Sequence, residues 1–319
     1  MFDLDYTIAA MKFIRIVPLA LGGLSLAFAS LGNLLHTLPH GDVLRCICGL
    51  ISTVILVVFV IKVILDFPKV REELKTPVPL SVLPTSTMAL MLLCVYVRPF
   101  LGMFAFVVWS IAVIVHILII MLFFKRFILG FRLDTVFPTW FIIAVGIGAV
   151  CVTAPAMNAI FIGQAAFYFG FTLYFAALTT IIIRMKRIKV FPEHLRPTIA
   201  IFTAPMSLLF VGYFNSFVQQ GQLNEKLVFF MMAIVSVSYV YVTIKMFSLL
   251  RLQFYPTYTT FTFPYVISAT GFRLGDGFLA ERGLHFLAPV AQISMWIAIA
   301  VVVYVAVRYA IFFRISLKS

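Results

Sequence analysis

Ten apolar runs, separated by short polar or basic segments, cover most of the chain. A helix needs about 20 apolar residues to cross roughly 30 Å of hydrocarbon, and each run reaches that length. No segment shows the alternating pattern of a membrane barrel strand, so the runs predict helices. We therefore predict an all-α integral membrane protein in which residues 1–319 form a single transmembrane domain. The predicted spans are 16–37, 43–66, 78–97, 100–124, 136–156, 159–183, 197–218, 226–249, 257–278 and 284–311.

Helix-breaking residues fall mainly in the odd-numbered spans. Pro18, Pro84, Gly146, Pro205 and Pro264 lie in spans 1, 3, 5, 7 and 9, whereas the even spans carry few prolines and glycines. Proline removes a backbone hydrogen bond and kinks a helix. Carbonyls freed in this way are tolerated at membrane depth only inside protein or beside a water-filled cavity. The pattern predicts kinked odd helices around a central pore, with even helices outside; alternatively, the kinks serve only packing.

Composition agrees with a membrane protein. Apolar residues make up 63% of the chain and charged residues 11%, whereas a soluble domain has about 45–50% and about 25%. The net charge of +13 does not indicate nucleic-acid binding, because the basic residues form short clusters between apolar runs.

The basic residues also predict an orientation. Of 24 lysines and arginines, 19 lie on one side of the ten predicted spans. This placement puts both termini in the cytoplasm of a multi-pass protein of the cell membrane. The five on the other side are Arg45, Arg98, Lys226, Arg273 and Arg282.

The sequence lacks the residue patterns that an enzyme or a cation channel would need. All eleven acidic residues lie at or near span ends, whereas cation pathways and carboxylate proton relays place acids within the membrane. The sequence contains no metal-ligand cluster or phosphate-binding loop. We therefore predict no enzyme activity, no metal and no cofactor. His116 is the one histidine in mid-span; we interpret it as a core residue, with a functional role as the alternative.

An apolar pore in a basic protein favours anions. Arg15, before span 1, and Arg273, late in span 9, are candidates for attracting them. Arg15 can instead be an orientation anchor, and Arg273 an interfacial side chain or a helix-face partner of Asp276. Phe263 immediately precedes Pro264, so its ring is a candidate plug, since hydrophobic constrictions gate by excluding water. Phe261 and Phe263 do not share a helix face, so at most one points into the pore.

Motifs on the five odd spans resemble a known family, the tellurite-resistance/dicarboxylate transporters, which includes the slow anion channels of plant guard cells. The chain is similar to a bacterial or archaeal member along nearly its whole length. The motifs, in chain order, are Pro18-Leu19-Ala20-Leu21-Gly22-Gly23-Leu24-Ser25, Thr76-Pro77-Val78 with Pro84, Pro138-Thr139-Trp140-Phe141 with Val145-Gly146-Ile147, Ala204-Pro205, and Thr262-Phe263-Pro264.

The resemblance implies five helical hairpins in quasi-fivefold arrangement, with the odd helices inside. It also implies a homotrimer with one pore per subunit, and that Phe263 corresponds to the phenylalanine that occludes the pore. The expected partners are small inorganic or organic anions and membrane lipid. The function expected first is a selective anion channel. The alternative is a secondary carrier for C4-dicarboxylates or an exporter of oxyanions such as sulfite or tellurite.

Overall fold

A computed structural model describes residues 11–318, and these residues form helices and turns without a β-strand, which confirms the predicted all-α class. Residues 1–10 and Ser319 of the predicted domain lie outside the described range. The helices are α1 (11–16), α2 (Leu21–Leu35), α3 (Gly41–Leu65), α4 (Phe67–Glu73), α5 (Pro77–Val82), α6 (Pro84–Phe123), α7 (Trp140–Val145), α8 (Gly148–Thr153), α9 (Ile160–Arg187), α10 (Ala204–Ser216), α11 (Glu225–Leu249), α12 (Thr259–Ala280) and α13 (Ala288–Lys318).

Four long helices, α3, α9, α11 and α13, coincide with the even-numbered runs 2, 6, 8 and 10. They carry no break, because their sequences lack interior prolines, and each is long enough to cross the bilayer. Each buries only a narrow stripe against the protein. In α11, for example, 7 of 25 residues are buried, at spacings of three and four. The remaining surface is apolar and exposed, as lipid-facing helices require.

Runs 3 and 4 are joined in α6, which differs from two separately bounded spans. A straight helix of this length would measure about 60 Å, twice the hydrocarbon thickness. Gly102 divides α6, because its backbone has φ 46° and ψ −120°, a conformation that strains any residue with a Cβ atom. A π-helical turn, Phe124–Ile128, ends the second half of α6.

The odd-numbered runs form short, deeply buried segments. Regular α-helical hydrogen bonding is interrupted at 17–20, at Leu83 and at 146–147, close to Pro18, Pro84 and Gly146. The seventh run begins as a 3₁₀-helix, Glu193–Thr203, and becomes α-helical one residue before Pro205. Helix α12 differs, because it continues through Pro264 without interruption. Burial is nearly complete in these segments: 14 of 15 residues in α2 and 12 of 13 in α10 are buried.

Among the described residues, six helical stretches are long and apolar enough to span a membrane by themselves. The first and fifth runs are divided into pieces shorter than a span, such as α2, α7 and α8. A run of apolar residues therefore marks a membrane-embedded segment, whereas proline and glycine decide whether that segment is one helix or two.

Buried hydroxyl groups bond to backbone carbonyls between these segments. The Ser207 and Ser268 oxygens lie 3.0 Å apart, joining α10 to α12, and both hydroxyls reach the Thr203 carbonyl, at 2.6 and 3.1 Å. Ser25 and Ser52 each donate to the other's carbonyl, at 2.9 and 2.8 Å, joining α2 to α3. Side chains thus satisfy polar backbone where neither lipid nor water does.

The crossing of α8 and α10 depends on Gly212. A Cβ atom at this position would lie 2.7 Å from the Cys151 Sγ atom and 2.9 Å from its Cβ atom. We expect Gly212→Ala to lower the free energy of unfolding by about 1–3 kcal/mol through overpacking, measured as thermal unfolding in detergent. Gly277→Ala is the control, because nothing lies within 4 Å of its added Cβ atom. Equal stability of the two variants would contradict this account of the crossing.

Candidate functional site

A small cavity lies between the buried segments and is lined by residues from every odd-numbered run. Its volume is about 50 Å³, room for roughly three waters. Gly146, Pro205 and Pro264 lie in its wall, so three of the five predicted kink residues meet there. The lining residues are Gly23, Leu26, Val82, Thr85, Met88, Phe141, Ile142, Val145, Gly146, Ile201, Ala204, Pro205, Leu208, Thr259, Thr260, Phe263 and Pro264.

The cavity wall offers almost no polarity. It contains no charged side chain, and its three hydroxyl groups are already committed to the backbone. Thr85 donates to the Val82 carbonyl at 2.8 Å, and Thr259 to the Pro256 carbonyl at 3.2 Å. Thr260 lies 2.8 Å from the Pro197 carbonyl. Because a hydroxyl has a single hydrogen, none is left to donate into the cavity.

Two phenylalanines line the cavity, one from the fifth run and one from the ninth. Phe263 lines it from α12, next to Pro264, and is 7% exposed. Phe141 lines it from α7. By contrast, Phe261 is fully buried and packs edge-on against Tyr258, with ring centroids 5.5 Å apart. Of the two α12 phenylalanines weighed from the sequence, the one at the cavity is therefore Phe263.

A larger vestibule of about 470 Å³ adjoins the cavity and shares Val82, Thr259 and Thr260 with it. Its wall includes Pro18 and the residues that open α5, so it lies toward the side where the basic loops gather. Two readily ionisable side chains, Glu73 and His194, also line it. The vestibule therefore adjoins the small apolar cavity from the basic side of the protein.

Arg15 and Arg273, the two candidates for attracting anions, do not lie at the same site. Arg15 is exposed and lines neither the vestibule nor the cavity. Its carbonyl oxygen accepts hydrogen bonds from Lys62, at 3.2 Å, and Lys69, at 3.0 Å. Two ammonium groups therefore neutralise the backbone where α1 ends. Lys62 is itself fully buried and paired with Asp66.

Arg273 lines a separate hollow of about 420 Å³, with Thr37 and Glu281 in its wall. This hollow lies at the opposite end of α2 and α12 from the vestibule. The guanidinium reaches the Thr37 carbonyl at 3.5 Å. No ion pair joins Arg273 to Asp276 in the described chain. A positive charge is therefore present at this end, beside a carboxylate that lines the same hollow.

His116 lies just behind the cavity wall. It is fully buried, its Nδ1 atom lies 2.7 Å from the Thr87 hydroxyl, and its Nε2 atom has no partner among the described residues. A Cβ atom added at Gly146 would lie 3.2 Å from the imidazole Cε1 atom and 3.2 Å from the Met88 Sδ atom. Gly146 and Met88 both line the cavity. The absence of a side chain at Gly146 thus lets the imidazole ring of His116 approach the cavity from α6.

Sequence reasoning missed Glu73, His194 and Phe141 as lining residues. Phe141 was visible within the Pro-Thr-Trp-Phe motif, but hydropathy does not give the rotation of a helix about its axis. Glu73 and His194 lie outside the apolar runs, in segments that the sequence connects only as loops. A metal centre was not predicted, and the described residues contain no group of three or more candidate metal ligands.

Comparison with known proteins agrees with this architecture. Residues 15–310 match the model of a family described as voltage-dependent anion channel, SLAC1, which confirms the resemblance to the tellurite-resistance and slow anion channel proteins. No curated protein matches the chain. Members of the family are channels and transporters, not enzymes. The matched region contains the cavity, the vestibule and every helix from α2 to α12, and the chain therefore belongs to the SLAC1 family of voltage-dependent anion channels.

Proposed function

We propose that this protein is a selective channel that passes small anions through a pore within each subunit. The pore runs from the vestibule through the central cavity, and Phe263 plugs it. Ten spans form five hairpins in quasi-fivefold arrangement, with the odd segments inside. The protein is a homotrimer in the cell membrane, with both termini in the cytoplasm. Membership in an anion channel family supports the coarse activity, and the cavity geometry supports the path.

The narrow apolar cavity at Phe263 is the observation that carries the proposal. A space of about 50 Å³ cannot hold an anion with its hydration shell. An apolar constriction also resists wetting, since none of its hydroxyl hydrogens is available to replace lost water. The phenyl ring lies next to Pro264 in the cavity wall. Displacing it widens the path without unfolding the helix that holds it.

Selectivity follows from the same wall. An anion in this constriction gains no charged partner and no free hydroxyl donor, so it must lose part of its hydration without replacement. Large, weakly hydrated anions lose the least. We therefore expect nitrate to permeate better than chloride, and a permeability series in reconstituted protein with chloride above nitrate would contradict this selectivity.

Phe263→Ala tests the plug. We expect anion conductance in planar bilayers to rise about tenfold or more, because removing the ring relieves the dehydrated constriction. Phe261→Ala is the matched control, since that ring lies in the same helix but packs against Tyr258, and its conductance should stay near that of the parent protein. A Phe263→Ala channel with unchanged conductance would remove the plug from the proposal.

Glu73→Gln tests the vestibule as the route to the cavity. A carboxylate in this wall lowers the local anion concentration, so we expect the variant to conduct about twofold more at low salt, with the difference vanishing at high salt. Glu72→Gln makes the same charge change at an exposed residue paired with Lys75 outside the vestibule, and should change little. The route is wrong if both variants respond alike.

A proton-coupled carrier is the second candidate, and His116 favours it. Its ring packs against Gly146 of the cavity wall, and its Nε2 atom has no partner among the described residues. Protonation of the ring would place a positive charge beside the path. For the channel, we expect nitrate flux into liposomes to persist after a protonophore collapses the pH gradient. Two results together would favour the carrier. Flux through the parent protein would stop when the protonophore is added, and flux through His116→Gln would be equally absent without the protonophore.

A further inference from the structure

A long groove opens toward the lipid between the outer helices α9 and α11. Each of these helices packs on the inner segment 193–216, and the groove separates them with a volume of about 630 Å³. Its wall is apolar and aromatic along most of its length, and Phe202 of the inner segment lies in it. Within the hydrocarbon, a depression of this kind is filled either by lipid chains or by another protein.

The groove has the length of one membrane leaflet. From Tyr174 to Lys186, both in its wall, α9 rises about 18 Å, and half of the hydrocarbon core is about 15 Å. Lys186 lies at the end of α9 that leads into the most basic connection of the chain. The groove therefore begins at the basic membrane surface and ends near the bilayer centre.

Charge identifies the kind of occupant. Lys186 is the only charged residue in the wall, and it is exposed without an ion pair in the described chain. No carboxylate of the described residues lies within ion-pair distance of Lys186. A phosphate headgroup supplies the missing anion, since basic sites between membrane helices bind anionic headgroups.

We propose that this groove binds one acyl chain of an anionic glycerophospholipid from the leaflet on the basic side. Lys186 meets the phosphate, and Ala233 leaves room for the chain in the wall formed by α11. A second copy of this protein is the competing occupant. It fits less well, because it would have to bring an unpaired carboxylate to Lys186.

The lipid groove, lined by Tyr174 and Lys186 among others on α9 and by Phe230 and Ala233 among others on α11, lies one aromatic layer from the central cavity. Tyr174 stacks on Phe141 with ring centroids 5.8 Å apart, and Phe202 meets Phe141 edge-on at 5.3 Å. Phe141 lines the same cavity as Phe263. The bound chain thus limits the movement of Phe141, so its occupancy controls anion flux; this second part rests on the proposed channel function.

Native mass spectrometry of the full chain tests the site with phosphatidylglycerol and phosphatidylcholine of matched acyl chains. We expect the parent protein to retain phosphatidylglycerol in preference, and Lys186→Gln to reduce that preference about fivefold. Lys189→Gln is the charge control, because it removes a nearby exposed lysine that lies outside the groove. Equal losses in the two variants would overturn the assignment of the headgroup to Lys186.

Filling the groove gives the second test. Ala233→Trp should reduce the retained lipid of both classes, whereas Val240→Trp, on a lipid-exposed face of the same helix outside the groove, should not. Retention of all lipid by Ala233→Trp overturns the site. The site is also overturned if Ala233→Trp forms a smaller oligomer than the parent protein while each chain retains the same amount of lipid. In that case a second copy of the protein would occupy the groove.

Anion flux into vesicles with and without phosphatidylglycerol tests the control of the cavity. We expect the parent protein to respond to the anionic lipid and Lys186→Gln to lose that response. Lipid that binds at Lys186 without changing flux overturns the control by Phe141. A protein that conducts no anion in any vesicle contradicts the proposed channel function, while the lipid count still decides the site.

Discussion

Hydrogen bonding of backbone groups in a medium without water is the constraint on which this structure depends. Outer helices such as α3 and α11 satisfy it within themselves. The broken segments cannot, so they are surrounded by protein and bonded by serine, threonine and lysine side chains. The contacts of Ser207 and Ser268 with the Thr203 carbonyl, and of Lys62 with the Arg15 carbonyl, are local consequences of that constraint.

The same constraint shapes the candidate pathway. Hydroxyl groups that bond to freed carbonyls have no hydrogen left for a ligand, so the wall around Phe263 is apolar although it contains three threonines. Charge is displaced to the ends, with Glu73 and His194 in the vestibule and Arg273 in the opposite hollow. A pathway built in this way resists wetting when closed, and its barrier depends more on width than on specific binding.

An inner layer enclosed by separate outer helices also leaves space between the outer helices. Where α9 and α11 diverge, the surface reaches inward as far as Phe202, and the contact of Phe202 with Phe141 places the membrane one ring away from the cavity wall. The membrane and the proposed anion pathway are thus close in this architecture, because the outer layer is only one helix thick.

The sequence by itself determined the helical class and most of the break points, because hydropathy and proline act locally. Pro18, Pro84 and Gly146 each lie at or beside an observed interruption. The motifs on the odd spans were sufficient to indicate the family. Hydropathy could not show that α6 joins two runs through Gly102, or that α12 continues through Pro264, since both depend on how neighbouring backbone is supported.

Only the tertiary structure decided which side chains meet. It turned Phe263 toward the cavity and Phe261 into packing, placed Arg15 on the surface, and brought His116 of an outer helix against Gly146. Each of these outcomes depends on the rotation of a helix about its axis and on its neighbours. The sequence of an apolar run in a membrane specifies that rotation only weakly, because apolar side chains are equally favourable facing lipid and facing the protein interior.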